Sequence, residues 1–288
     1  MTTIGLLHPG DMGSMVGACA VAAGSRVRWA SGGRSASTRD RAAAAGLEDA
    51  GSLGAVVAGS EVLISVCPPH AALDLARDVA ARGFGGLFVD ANAVSPATAR
   101  EIGRVVEAGG ATFVDGGLIG PPPRAAGSTR LYLSGREAKR AVVLFEASAL
   151  EAIAVNDSPG AASALKMVYA AYTKGSSALL MAIRALASTE GVDDALLGEW
   201  RRSQPELPKR SESAARDNAR KAWRFVGEME EIAATFEAAG LPGGFHQAAA
   251  VIYERLAEYK DATTPPAMAD LVAPLTRQPG RREPPASA

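Results

Sequence analysis

Little in this chain of 288 residues can build a site from cysteine, histidine or aromatic rings. Its two cysteines, Cys19 and Cys67, cannot make a disulfide framework and read as reduced thiols. Its three histidines, His8, His70 and His246, lie far apart without paired-ligand spacing, which speaks against zinc, and no metal is expected. Aromatic residues make up 5%, too few for a platform that stacks single-stranded nucleic acid. The 30 Lys+Arg nearly balance the 31 Asp+Glu, so no basic domain for a polyanion is present. The longest apolar stretch, from Ser177 to Ile183, stops at Arg184, far short of the ~18–20 residues that span a bilayer. No basic segment followed by an apolar run opens the chain, so no secretory signal is read there. These absences predict a cytoplasmic protein whose partner is a small molecule, with neither nucleic acid nor membrane involved.

What is present is apolar. Hydrophobic residues are 48% and charged residues 21%, the balance of a soluble globular protein with a real core. Over residues 1–157, short β-rich runs alternate with helical runs. The strands are expected at Thr3–Leu7, Arg26–Ser31, Glu61–Val66, Gly86–Asp90, Thr112–Asp115, Arg130–Ser134 and Ala152–Val155. Glu61–Val66 is almost continuously apolar, as in parallel strands buried on both faces. Ser95 is a good N-cap and Pro96 suits the first helical position. Such alternation implies a Rossmann-type doubly wound parallel sheet.

The pattern changes at Asn156–Pro159. Asp157 or Ser158 can cap a helix that Pro159 opens, and no breaker is read before Gly191. A helix over Pro159–Thr189 would be about 46 Å long at ~1.5 Å per residue, a spine joining two domains. Residues 158–276 read as an all-α substrate and dimerisation domain. Its helices include Asp217–Ala239, with Trp223, Phe225, Val226, Met229, Ile232, Ala233 and Phe236 on one face and Glu228 elsewhere, and a last helix at Phe245–Tyr259. Leu179, Leu180, Ile183, Phe236 and Ile252 supply more apolar surface than such a domain buries alone, which predicts a homodimer through it. Residues 277–288 have the composition of a disordered tail.

The chemistry starts at the loop after the first strand. A dinucleotide loop needs small residues where the chain turns, where backbone approaches pyrophosphate and where helix packs on strand. In His8-Pro9-Gly10-Asp11-Met12-Gly13, Gly10 and Gly13 fit the second and third of these places, and His8 occupies the first. Helix N-terminal amides then bind the phosphates. An NAD site places a carboxylate about 20 residues on, against the ribose hydroxyls. Here the second strand ends in Ser31-Gly32-Gly33-Arg34-Ser35, where no carboxylate stands. Ser31, Arg34 and Ser35 can instead hold a 2′-phosphate, so NADP(H) is expected in preference to NAD(H). Val66, Cys67, Pro68 and Asn92, at the ends of later strands, complete the expected cofactor contacts. Cys67 is expected to be inert as a nucleophile.

These features resemble the β-hydroxyacid dehydrogenase family, which includes 3-hydroxyisobutyrate and 6-phosphogluconate dehydrogenases. The resemblance covers nearly the whole chain. Gly10-Asp11-Met12-Gly13 matches the family's Gly-x-Met-Gly, and Asp90-Ala91-Asn92-Ala93-Val94-Ser95-Pro96 keeps the frame of Asp-x-Ser-Thr-x-x-Pro. Asp115-Gly116-Gly117-Leu118-Ile119-Gly120-Pro121 keeps the Asp and one Gly of the substrate loop. Gly160 and Lys166 match the family's Gly and Lys, while Ala170 replaces its Asn. The stretch Arg220–Leu241 resembles a less characterised bacterial subgroup whose helical module has no settled function.

The resemblance implies an NADP-dependent oxidoreductase that moves hydride between cofactor and a carbonyl or alcohol, with Lys166 as general acid/base. It implies substrate contacts at Asn92, Ile119, Gly120, Pro121, Tyr169, Ala170, Lys174 and His246, with substrate bound between the domains. The family's Ser and Asn that hold a substrate carboxylate are here Ile119 and Ala170, which points to a larger or less acidic substrate. Thr173 stands where decarboxylating 6-phosphogluconate enzymes carry their protonating Glu, which argues against that reaction. Two alternatives remain: an imine reductase of the same architecture, whose members usually replace the Lys, and a catalytically retired nucleotide-binding protein.

Overall fold

The computed structural model describes residues 1–277, so the tail expected over 277–288 lies outside the described residues except for Arg277. The chain divides into two compact units, Met1–Tyr169 and the remainder from Ala170.

In the first unit, β1 (Thr3–Leu7), α1 (Asp11–Ala22), β2 (Arg26–Trp29), α2 (Ala36–Ala44), β3 (Glu48–Asp49) and α3 (Leu53–Ala58) form the first winding. They are followed by β4 (Val62–Ser65), α4 (Pro69–Ala80), β5 (Leu87–Asp90), α5 (Pro96–Ala108), β6 (Thr112–Ile119), β7 (Thr129–Ser134), α6 (Ala138–Val142) and β8 (Leu150–Asn156). The sheet order is β3-β2-β1-β4-β5-β6-β7-β8, with every neighbouring pair parallel except β6 and β7. The Rossmann-type sheet expected from the strand–helix alternation is therefore present, with an added β7–β8 edge. Successive side chains of a strand point to opposite faces, and here both faces are core. Ile4, Leu6, Val62, Ile64, Leu87 and Val89 are buried on one side; Leu7, Leu63, Phe88 and Phe113 are buried on the other. Ser95 caps α5 as expected, accepting from the Thr98 N–H at 3.2 Å.

The chain order reverses between β1, which leads back to β2, and β4. In open α/β sheets ligands bind beyond the carboxyl ends of the strands at that switch. Two short elements escaped the sequence reading. Strand β3 has two residues, and α3 fills the return to β4. A strand that short leaves no alternation to detect.

Helix α7 (Ala161–Thr189) has 29 residues and is the long spine. The expected start at Pro159 is corrected to Ala161, and the caps are not Asp157 or Ser158. Instead the Ser134 hydroxyl accepts from the Ala162 N–H at 3.0 Å, and Asp115 Oδ2 accepts from the Ser163 N–H at 3.0 Å. The sheet itself caps this helix.

The second unit is all α. It holds the rest of α7, then α8 (Asp193–Ser203), α9 (Leu207–Asn218), α10 (Ala222–Ala238), α11 (Gly244–Arg255) and α12 (Met268–Thr276). The single helix expected over Asp217–Ala239 is broken by a 3-10 turn at Ala219–Lys221. That rotates Trp223 off the core face, where it is exposed between Arg224 and Lys260. The last helix is α12, not Phe245–Tyr259. Gly175, unread as a breaker, sits inside α7 because a Cβ there would lie 3.2 Å from the Phe245 ring. Among the described residues no helix is long and apolar enough to cross a membrane.

Candidate active site

The loop between β1 and α1 is built around three backbone facts. His8 has φ 91°, the left-handed region that the missing first glycine would adopt freely. A Cβ on Gly13 would lie 2.4 Å from the His8 carbonyl oxygen, so only glycine lets α1 pack this close to the strand end. A Cβ on Gly10, by contrast, would meet nothing nearer than the His8 ring at 3.9 Å. Gly10 thus leaves open space at the start of α1, and no side chain caps that helix. The first N–H groups of a helix have no intrahelical partner, so they face this space as anion donors. Asp11 opens α1 as an exposed acid 3.7 Å from Arg124, and Met12 packs against the sheet core. Pro9 is buried.

Beside the loop is a cleft of about 300 Å3 lined by His8, Ala30, Gly32, Arg34, Ser52 and Leu53, among others. Arg34 Nη1 lies 2.9 Å from His8 Nδ1. Burial, and then the Arg34 charge, lower the His8 pKa, so His8 is neutral at pH 7. Ser35 spends its hydroxyl as the N-cap of α2, accepting from the Thr38 N–H at 3.3 Å.

The expectation that no carboxylate stands near the end of β2 is corrected by the structure. Asp49 of β3 pairs beside Trp29, the last residue of β2. The Ser31 hydroxyl, then the Gly51 N–H, hold the Asp49 carboxyl below the usual carboxylate range. The Gly51 N–H donates to Asp49 Oδ1 at 2.8 Å. Sequence reading missed Asp49 because it arrives from the neighbouring strand rather than from β2.

Ser65 and Asp90, the last residues of β4 and β5, stand in register with Asp115 midway along β6, which runs on to Ile119 rather than ending at Asp115 as the sequence suggested. Asn92 is 2% exposed and ties this row together. Its Oδ1 accepts from the Cys67 N–H at 2.6 Å, and its Nδ2 donates to Ser65 Oγ at 2.9 Å and to Asp90 Oδ1. The amide therefore fixes the backbone after Val66, where Cys67 and Pro68 lead into α4, with Pro68 as its N-cap. Burial pushes the Cys67 thiol up to about 12, in keeping with an inert cysteine. His70 is exposed on α4.

Asp90 is fully buried, and burial followed by the Asp115 charge raises its pKa well above the carboxylate range. Its Oδ2 has no hydrogen-bond partner. Folded Asp90 therefore holds its proton to a higher pH than the unfolded carboxyl, which ionises above about pH 4. Stability is therefore present at acid pH and is lost as pH rises through the unfolded value towards the raised folded one. Asp90→Asn is expected to be more stable than the parent at pH 7, by about 1.4 kcal/mol for each unit by which the folded pKa is raised, and equal to it below about pH 4. Urea unfolding at the two pH values measures this; an equal difference at both would show that Asp90 is ionised in the fold.

Asp115 does different work. Its Oδ2 accepts from Ser134 Oγ at 2.8 Å and from the Ser163 N–H, and its Oδ1 accepts from Ser163 Oγ at 2.5 Å. It clamps β6, β7 and the first turn of α7. A Cβ on Gly117 would lie 2.6 Å from the Ala162 carbonyl oxygen and 3.1 Å from Lys166 Cβ. Half-buried Lys166 is thereby held against β6, just past the clamp. Further along β6, Ile119 is buried, and Gly120 and Pro121 are exposed at its end.

The remaining expected substrate residues lie on helices. Tyr169 is exposed on α7 and Ala170 is buried. In the second unit Lys174 pairs with Glu228, with its ammonium 4.5 Å from the Phe225 ring centroid. Glu228 is thus half-buried rather than on a solvent face. His246 is buried, 4.5 Å from Phe236 and 5.1 Å from Phe245 between ring centroids. Burial lowers its pKa, and its Nδ1 has no hydrogen-bond partner. Among the described residues no three His, Cys, Asp or Glu side chains converge as metal ligands.

The fold matches that of NAD(P)-dependent dehydrogenases. A conserved protein of unknown function, MTH1747, itself structurally similar to 3-hydroxyacid dehydrogenases, superposes with a TM-score of 0.66 at 26% identity, covering 90% of this chain and 98% of that one. Mycobacterium tuberculosis 3-hydroxyisobutyrate dehydrogenase superposes with a TM-score of 0.68 at 21% identity, covering 96% of this chain and 100% of that one, a likeness of fold. An uncharacterised 28.5 kDa protein of Methanothermus fervidus is 32% identical over 142 residues, 49% of this chain and 54% of that protein, so the match spans about half of the relative's length. Residues 187–256 match a domain of unknown function, DUF1932. Residues 2–156 match the NAD-binding domain of 6-phosphogluconate dehydrogenase, and with more than half of its length so matched the chain belongs to that family, a Rossmann-fold dehydrogenase related to the 3-hydroxyacid and 6-phosphogluconate dehydrogenases.

Proposed function

We propose that this protein is an NADP-dependent oxidoreductase that interconverts an alcohol and a carbonyl, with Lys166 as general acid/base. The observation that carries the reading is the placement of Lys166: a half-buried amine held against β6 by the Gly117 gap and the Asp115 clamp. The dinucleotide fits the residues present. Gly10 leaves the room for pyrophosphate that a Cβ would fill, and α1 offers uncapped amides. Arg34 suits a 2′-phosphate, because guanidinium pairs with phosphate in a fixed geometry. Asp49, the carboxylate that β3 brings beside the end of β2, already accepts from Ser31 and Gly51.

The bound nicotinamide supplies the hydride acceptor or donor. The chain's part is the proton. In oxidation the Lys166 amine takes the hydroxyl proton as the carbon loses hydride; in reduction the ammonium returns it to the carbonyl oxygen. Buried Ile119 and Ala170 offer no side-chain hydrogen bond to a substrate carboxylate, which favours a larger, less acidic substrate. The same two residues are compatible with the second reading, an imine reductase, although Lys166 speaks against it. A panel of carbonyls, imines and small hydroxy acids assayed with NADPH and NADH tests both. Turnover of carbonyls with NADPH is expected. Fast turnover of 3-hydroxyisobutyrate alone, or tighter binding of NADH, would overturn the assignment. Nucleotide binding with no turnover on any compound would mark a retired enzyme.

The match of residues 187–256 to a domain of unknown function supports a helical module distinct from the nucleotide-binding domain. We further assign the helical unit as a homodimer surface. On α7, Tyr172, Leu179 and Leu186 recur at heptad spacing and are 65%, 44% and 61% exposed. Leu180, also expected there, is instead buried within its own chain. A monomer in sedimentation at micromolar concentration would contradict the dimer.

A further inference from the structure

We propose that His8 is the specificity-determining residue of the nucleotide cleft: its imidazole positions the Arg34 guanidinium to receive a phosphate on the adenosine 2′ oxygen. This rests on the reading of the site as an NADP site, and adds to it the device that makes the site selective.

The first observation is backbone strain. A residue with a side chain is strained at φ 91°, where glycine would be at ease. A side chain kept at that cost is expected to make a contact that glycine cannot. That contact is with Arg34, at 2.9 Å. A guanidinium has only donors, so His8 Nδ1 must be the acceptor, which places the imidazole proton on Nε2 and leaves the ring neutral.

The neutrality matters. Elsewhere on this chain arginines are oriented by carboxylates, as Arg26 is by Glu48 and Arg184 by Asp193. A carboxylate orients a guanidinium but cancels its charge. A neutral imidazole orients it and leaves its full charge for an incoming phosphate. The contact uses one of five N–H donors, so the others remain available for bidentate recognition. It also restrains a long side chain that is otherwise free to sample many rotamers. His8 and Arg34 line the same cleft, together with Gly32, Gly51 and Ser52. The nearby carboxylate, Asp49, faces Ser31, Gly51 and Arg39. Its acceptors are engaged away from the His8–Arg34 pair.

The test is calorimetric binding of 2′,5′-ADP and of ADP to the full chain and to its His8→Gly, His8→Asn and Arg34→Ala variants. The parent is expected to prefer 2′,5′-ADP. His8→Gly relieves the strained backbone, so a folding defect is not expected, and it should lose about tenfold of that preference, or about 1.4 kcal/mol, while its ADP affinity is kept. Arg34→Ala should lose at least as much. Asn tolerates left-handed backbone and offers an amide oxygen to Arg34, so His8→Asn should recover part of the preference. If His8→Gly keeps the parental ratio, or weakens both ligands alike, or if His8→Asn recovers nothing, His8 shapes the loop only and the inference falls. If the parent itself shows no preference, the NADP reading falls and takes the inference with it.

Discussion

Lys166→Met is expected to reduce turnover by about 10²–10⁴-fold while leaving NADPH binding unchanged, the loss usual for a general acid/base. Methionine keeps the length and apolar stem that pack against β6 and removes only the amine. The loss should appear in kcat and in kcat/KM together, because the proton moves only in the transition state. The pH dependence that the parent shows should flatten. Lys166→Arg keeps the charge but holds its proton at any accessible pH, so it should be nearly as impaired. Stopped-flow oxidation of NADPH against the best compound from the substrate panel measures the effect. Parental activity in Lys166→Met would remove the amine from the chemistry. Undiminished imine reduction with lost carbonyl reduction would favour the imine reductase reading.

Asp115→Ala is expected to destabilise the protein by about 3 kcal/mol or more, because it strands buried donors that had charge-assisted bonds. The stranded groups are the hydroxyls of Ser134 and Ser163 and the Ser163 N–H at the start of α7. A helix N-terminus also loses the anion that its dipole favours. Since Lys166 follows on the same helix, activity measured below the melting point should fall as well, without a change in nucleotide affinity. Asp115→Asn keeps one acceptor and should lie between. Thermal melts with parallel binding titrations check both parts. A variant as stable as the parent would mean that the clamp is not what seats α7.

The neighbouring carboxylates of β5 and β6 show why sequence and structure divide as they do. In the sequence each follows an apolar run and reads as a strand end; in the structure Asp90 ends β5, while β6 continues past Asp115 to Ile119. In the fold, Asp115 gathers donors from β7 and α7 and serves as a clamp, while Asp90 meets chiefly Asn92 and burial raises its pKa. Lys174 is a similar case. The resemblance implies a substrate contact there, but a residue more than fifty positions away, Glu228, pairs with its charge.

The sequence by itself determined the local and periodic features. Alternating strands and helices dictated the doubly wound sheet, because apolar runs of strand length between helices can be buried only in a parallel layer. Gly10 and Gly13 marked the loop after the first strand, and the long helix was legible to within two residues of its start. The tertiary structure alone decided the partners. It brought Arg34 onto His8, Asp49 beside Ser31, and Ser134 and Asp115 under the first turn of α7. Each of these is a contact between strands or loops distant along the chain. Periodicity says which face of an element is buried, but only the packed sheet says which polar group stands opposite.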